Sequence, residues 1–293
     1  MGFSRTVGAI GVIGVTVGGL GCADSVPSYP TAPACTVNCG SIGAGGVIGG
    51  TGGAGSTTTT TSTGSSGAAG TVEMTGNVLR FASADFDSFT VPIYSGTANI
   101  VAPGPSGSLT APYDGSGNPP TFDLVGVSPG NQWVQVLDTT NGSAGILSTW
   151  SLVPLPIPTI AGQVTTVSLP VLDLGTLNSI AMDQLTTSAN HVEPTAAQVV
   201  LLVSQGTSNT STPLAGVSVT GNTGNASVAY DIGPGGSYSD AVSATGTAGT
   251  IILFNSALSG LVAISLLDAG SNAFAVQIQV TPGEATFVQV SIP

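Results

Sequence analysis

Lysine is absent from the sequence, and Arg5 and Arg80 are its only cations. That lack excludes nucleic acid as a partner, because a phosphate backbone is held by clustered Lys and Arg. Anionic headgroups would likewise repel the chain, so any membrane attachment has to come through a lipid. Charged residues of both signs make up only 5% of the chain, and solubility rests on Ser, Thr, Asn and Gly. Histidine occurs once, at His191, and cysteine three times, at Cys22, Cys35 and Cys39. Those residues are too few and too scattered for a Cys/His metal centre, so no metal and no cofactor are expected. A Ser-His-Asp triad would have to recruit His191 from "SANHVEP", where nothing partners it recognisably, and no G-x-S-x-G elbow occurs. The glycine runs "GAGG" and "GGTGGAGS" have no strand before them or helix after, as a phosphate loop requires. No catalytic residues are assigned.

The cysteines point to export instead. Residues 1–6, "MGFSRT", carry one cation, and residues 7–20, "VGAIGVIGVTVGGL", are apolar or glycine apart from Thr16. A charged head followed by an apolar run too short to span a bilayer reads as a signal peptide, residues 1–21. Gly21 then precedes Cys22, and the stretch resembles the lipobox of bacterial lipoproteins, which implies lipidation at Cys22. Leu20 lies two residues before the cysteine and Gly19 holds the place where leucine is usual, so cleavage without a lipid stays open. The expected location is the cell envelope, as an outer-membrane lipoprotein; the alternative is secretion. Once the leader is removed, Arg80 alone faces fourteen acids, for a formal charge of −13. Cys35 and Cys39 in "ACTVNCG" suit either a small loop disulfide or two free thiols.

Residues 22–71 form a linker. From Gly40 to Gly70 almost every residue is Gly, Ser, Thr or Ala, which cannot build a packed core. A flexible chain of that length has an r.m.s. span of about 30 Å. The run "STTTTTST" is either a plain spacer or a site of O-glycosylation.

Beyond the linker the texture changes to short Val-, Ile- and Thr-rich segments bounded by turn residues. "FTVPIY" (89–94), "TFDLVGV" (121–127), "QWVQVLD" (132–138), "TTVSLPVL" (165–172) and "AQVVLLV" (197–203) read as strands. So do "GVSVTG" (216–221), "GTIILFN" (249–255), "LVAISLLD" (261–268), "FAVQIQV" (274–280) and "ATFVQVSI" (285–292). A short helix is expected in "LGTLNSIAMDQLTT", where Leu177, Ile180, Ala181 and Leu185 keep helical spacing. The spacing predicts an all-β protein of two tandem antiparallel β-sandwiches, at 72–175 and 197–293, joined by a connector at 176–196.

An internal likeness supports two units. "FDLVGVSPGNQWVQVLD" (122–138) lies over "ILFNSALSGLVAISLLD" (252–268) without a gap, placing Gly130 on Gly260 and Asp138 on Asp268. Upstream, "PIYSGTANIV" (92–101) answers to "PLAGVSVTG" (213–221), and "YDG" (113–115) to "YDIG" (230–233). The order Pro-apolar-small-Gly, Tyr-Asp, strand, glycine turn, strand, Asp is similar to the carboxypeptidase regulatory-like domain. That resemblance implies transthyretin-type (prealbumin/Ig-like) sandwiches that serve as spacers or binding modules and carry no catalytic residues. Leader, tether and tandem modules together also look like exported lipoproteins of myxobacteria and other large-genome Gram-negative bacteria.

Two residues stand out as candidates for binding. Alternation along "QWVQVLD" puts Val134 and Val136 on one face and Trp133 with Gln135 on the other, where the aligned positions are Ala263 and Ser265. A large aromatic outside the core suits recognition of a glycan or an envelope protein; equally, it packs against a neighbouring element. The acids Asp114, Asp138, Asp231 and Asp268 sit at strand ends, where Asp favours turns. "DGSGN" faintly resembles a calcium loop, but the twelfth position is Val125 rather than Glu. The expected function is a non-catalytic envelope module that binds protein or glycan. The alternatives are a structural accessory with no ligand of its own and a hydrolase of unrecognised type.

Overall fold

The computed structural model describes residues 70–292 apart from 87–89, 141, 161–162, 187–190 and 206–211, together with the pair Val15–Thr16. Cys22, Cys35, Cys39 and the linker lie outside the described residues. Ahead of these, β1 (Val15–Thr16) pairs in parallel with Val290 and Ser291.

Among the described residues the regular structure is almost entirely strand. Half one contains β2 (Val72–Phe81), β3 (Thr97–Gly104), β4 (Gly107–Asp114), β5 (Phe122–Val127), β6 (Gly130–Asp138), β7 (Ile146–Leu147), β8 (Thr149–Leu155) and β9 (Val164–Asp173). Helix α1 (Leu174–Asp183) follows, over the stretch where helical spacing was read. Half two contains β10 (Ala197–Gln205), β11 (Thr212–Pro213), β12 (Ser218–Gly221), β13 (Ser227–Gly233), β14 (Ser237–Ser239), β15 (Thr250–Ser256), β16 (Gly260–Leu267), β17 (Ala273–Val280) and β18 (Ala285–Ile292).

The two halves repeat one topology. β2 pairs antiparallel with β5 and parallel with β9, and β10 pairs the same way with β15 and β18. β6 runs antiparallel between β3 and β8, and β16 between β12 and β17. One strand breaks the likeness: β4 forms a hairpin with β3, whereas β13 pairs with β15. Pairing is therefore mixed, with the first and last long strands of each half side by side in parallel. β10 and β18, at the centre of the molecule, are buried on both faces over much of their length. "AQVVLLV" and "ATFVQV" are accordingly near-continuous apolar runs.

The halves are fused through a central sheet, ordered β14-β13-β15-β10-β18-β8-β6-β3-β4. The joint is a parallel ladder in which Ala285, Thr286 and Phe287 of β18 face Thr149, Trp150 and Ser151 of β8. A four-stranded sheet, β5-β2-β9-β7, packs on half one, and a three-stranded sheet, β12-β16-β17, packs on half two. Residues 69–293 fall within one compact unit.

Three cores result. The first, around Met74, Ile100, Tyr113, Leu124 and Val136, lies between the two sheets of half one. A second, around Val199, Leu201, Leu253, Ile264 and Val290, lies between the two sheets of half two. The third belongs to both halves: Phe86, Leu172, Leu177 and Ile180 pack with Val200, Phe254 and Phe287. Alternation assigns these faces, since Val199 and Leu201 point into the second core while Val200 between them points into the third. Phe81 stacks 4.8 Å from Phe287 in a tilted pair across the joint.

The sequence reading expects antiparallel pairing throughout, whereas first and last strands pair in parallel because each is brought back beside the other within its half. Two further differences concern single strands. The described part of "FTVPIY", residues 90–94, forms no strand; Ile93 makes only an isolated bridge to Leu79, next to Pro92, which has no N–H to donate. Several strands were not anticipated, among them β2, β3, β4, β8 and β13. β3, β4 and β8 contain proline, and β2 contains Glu73, Gly76 and Arg80. Those residues mask an alternation that is regular in the fold.

Candidate functional site

β6 positions the two candidate binding residues. Trp133 stands opposite Leu152 and Gln135 opposite Trp150, all on the face of β6 and β8 turned away from the first core. Trp133 is partly buried and packs against the second core. Gln135 is buried, and its Nε2 donates to Glu284 Oε2 at 2.8 Å. The same carboxylate oxygen accepts from Trp150 Nε1 at 2.7 Å, and that indole N–H also lies 3.0 Å from Thr281 Oγ1. Trp133 and Gln135 thus belong to the packing between the halves, and the geometry joins them to Trp150, Thr281 and Glu284. Sequence reasoning passed over Trp150 and Glu284. Alternation in "TWSLVPL" would have put Trp150 beside Gln135's row; Glu284, in the turn before β18, gives no local signal.

The aspartates cap turns. Asp138 Oδ1 accepts from the Thr140 hydroxyl at 2.7 Å and N–H at 2.9 Å, and Oδ2 accepts from Gly142 N–H at 2.6 Å. Partial burial pushes the Asp138 carboxyl up, but these three hydrogen bonds together leave it below the ordinary aspartate range. The aligned Asp268 does the same for its loop: the Asn272 amide and N–H donate to it, in that order of effect, and lower its pKa. Asp114 is held down by the Ser116 hydroxyl and N–H. That Asx turn accounts for "DGSGN" without an ion. Asp231, aligned with Asp114, is instead buried, and its two oxygens accept from the N–H groups of Ala248 and Thr250 at 2.9 and 2.8 Å.

The tyrosines beside these acids are also structural. Tyr113 Oη donates to the Tyr94 carbonyl at 2.6 Å, and Tyr230 Oη accepts from Val219 N–H at 3.0 Å. Each thus ties the Tyr-Asp strand back to the segment aligned upstream of it. Burial pushes both phenols above their ordinary pKa.

The remaining titratable groups are dispersed. Arg80 pairs with Asp173, whose other oxygen caps α1 by accepting from Thr176 N–H at 2.9 Å. The Arg80 Nε lies 3.0 Å from that carboxylate. Arg80 also borders a recess of about 170 Å³ whose lining includes Phe81, Asp85, Thr90 and Pro92. His191 Nε2 lies 3.0 Å from Glu193 Oε1, with both side chains well exposed. Among the described residues, no three His, Cys, Asp or Glu side chains gather as a metal site would require. No helix among them is long and apolar enough to cross a membrane.

No family model matches the chain. No curated protein matches it either. Among solved structures, the crystal structure of a minor pilin from the Gram-positive pathogen Streptococcus agalactiae aligns over 75% of this chain and 94% of the pilin, at 12% identity. Its TM-score is 0.21, too low for the pilin's role to bear on this chain.

Proposed function

We propose that the chain is a non-catalytic protein of the cell envelope, lipid-anchored at Cys22, whose paired β-sandwiches are presented on the tether for protein or glycan binding. The resemblance to carboxypeptidase regulatory-like modules and to myxobacterial lipoproteins belongs to the same reading. One observation carries it: six of the chain's fourteen acids are committed to architecture. Asp114, Asp138 and Asp268 cap Asx turns, Asp173 caps the helix, Asp231 closes a buried loop, and Glu284 holds Gln135 and Trp150 between the halves. A chain with so few charged groups, used in this way, is suited to being a rigid spacer and display surface rather than an acid-base catalyst.

The packing of Trp133 on the second core favours a second reading, in which the unit is a structural accessory of an envelope assembly with no ligand of its own. Affinity capture with the mature chain, lipid-free through Cys22→Ser, separates the two. Specific retention of a glycan or an envelope protein, abolished by denaturing the chain, supports the module. Retention of nothing, with stoichiometric recovery of the wild-type chain in a detergent-extracted complex, supports the accessory. Hydrolysis of an ester, peptide or glycoside panel by the purified chain would contradict both. Palmitate labelling lost on Cys22→Ser tests the anchor.

A further inference from the structure

Nine large apolar side chains are exposed among the described residues, and four of them gather at one end of half one. Val125 of β5 and Val164 of β9 flank Glu73 of β2 in a single row of the outer sheet face. Their exposures are 67% and 52%; Ile157 and Ile160, in the loop between β8 and β9, reach 72% and 68%. The next row along the sheet, Asp123, Thr75 and Thr166, is polar, so the apolar surface is confined to this end.

Prolines and hydrogen bonds fix Ile157 at this end. Ile157 stands between Pro156 and Pro158, which fix φ on both sides. Thr159 N–H donates to Gln163 Oε1 at 3.0 Å, and Gln163 O accepts from Glu73 N–H at 3.0 Å, closing the loop onto β2. Surfaces presented in this way lose little conformational entropy when covered.

The chain outside the described unit arrives at this same end. β2 begins at Val72, and a Cβ built on Gly70 would lie 3.2 Å from Pro158 Cγ. Residues 22–69 carry no basic residue and span roughly 40 Å r.m.s. as a flexible chain. The linker therefore enters the unit at the end that carries Ile157, Ile160, Val164 and Val125.

We infer that this apolar end docks onto an uncharged lipid surface, resting its half of the unit on the membrane that anchors the linker. The inference rests on the reading of Cys22 as the anchor. Glu73 within the row, and the −13 charge of the mature chain, select zwitterionic over anionic headgroups. Each contact is weak, and the short linker makes it effective by keeping the local lipid concentration high.

Flotation of the mature Cys22→Ser chain with phosphatidylcholine vesicles tests this without the anchor. The chain is expected to float at millimolar lipid and to float less when phosphatidylglycerol replaces part of the phosphatidylcholine. Ile157→Ser with Ile160→Ser is expected to raise the lipid needed for half-binding about tenfold, with an unchanged melting temperature since both side chains are exposed. Met182→Ser with Leu261→Ser, at exposed sites away from the linker, is expected to change nothing. No flotation, or equal loss in both double variants, would overturn the inference. So would a self-association of the chain that Ile157→Ser and Ile160→Ser abolish without any vesicle binding, which would give the patch to a second copy. Flotation by the lipid-free chain alongside a wild-type Cys22 that carries no lipid would keep the docking surface and remove the anchor.

Discussion

The two halves use one strand order to different ends. In half one the Tyr-Asp pair closes the exposed edge strand β4: Tyr113 is buried, while Asp114 caps a surface turn. In half two the same pair lies on β13, which has moved to the other sheet, and there Asp231 is buried with two backbone N–H groups on its oxygens. A change of strand partner has thus converted a surface cap into an interior one, with no change of residue type. The last strands differ in the same manner. β9 is bordered by the two-residue β7, whereas β18 carries the ladder to β8 and places Phe287 in the core that both halves share.

The largest contrast is expected at the aligned aspartates. Asp231→Ala leaves two buried N–H groups unpaired and should lower unfolding stability by about 3 kcal/mol in urea titration. Asp114→Ala, at an exposed turn, should be indistinguishable from wild type. Equal losses would mean that the two sites are energetically alike despite their burial.

Trp133 and its counterpart Ala263 give the next test. Trp133 is half-buried against the second core, so Trp133→Ala should destabilise by about 2 kcal/mol. A stability unchanged by that substitution would return Trp133 to the role of a free recognition surface.

The glycine turns should show identity rather than contrast. Gly130 and Gly260 have φ of +94° and +80° at the starts of β6 and β16. A Cβ at Gly260 would meet nothing within 4 Å, and one at Gly130 only Gln132 Nε2 at 3.9 Å. Backbone conformation alone is at stake, so alanine at either place should cost about 1–2 kcal/mol, equally in the two halves. Unequal costs would break the correspondence between the two turns.

Asp138 should give the smallest effect. Its pKa is depressed in the folded chain, so the stability it adds is fully present above the unfolded aspartate value, near 3.9, and is lost as pH falls through the folded value. Asp138→Asn should therefore flatten the fall in stability below about pH 4 and leave its slope near neutrality unchanged. An unchanged acid limb would show that the Thr140 and Gly142 hydrogen bonds do not favour the charged form.

Much of this architecture is legible in the sequence. Near-continuous apolar runs mark β10, β15 and β18, and the aligned "SPG" and "LSG" turns mark the β5-β6 and β15-β16 corners. β2 was hidden because Gly76 occupies an inward position where β9 passes close: a Cβ there would lie 1.8 Å from the Val167 carbonyl oxygen. The parallel pairing of first and last strands leaves no local trace, since it joins residues nearly a hundred positions apart. For the same reason "QWVQVLD" yielded the face on which Trp133 and Gln135 lie but not what covers it. Glu284, which accepts from Gln135, lies 149 residues further along the chain.

Fusion of the repeats is most directly tested by calorimetry of the mature Cys22→Ser chain and its Phe287→Ala variant. With the β8-β18 ladder and the third core shared, the wild-type chain should unfold in one transition whose calorimetric and van't Hoff enthalpies agree. Phe287→Ala should lower that single transition by an amount corresponding to about 3 kcal/mol or more. Two resolved transitions, of which Phe287→Ala moves only one, would show that the halves stand independently and would contradict the account.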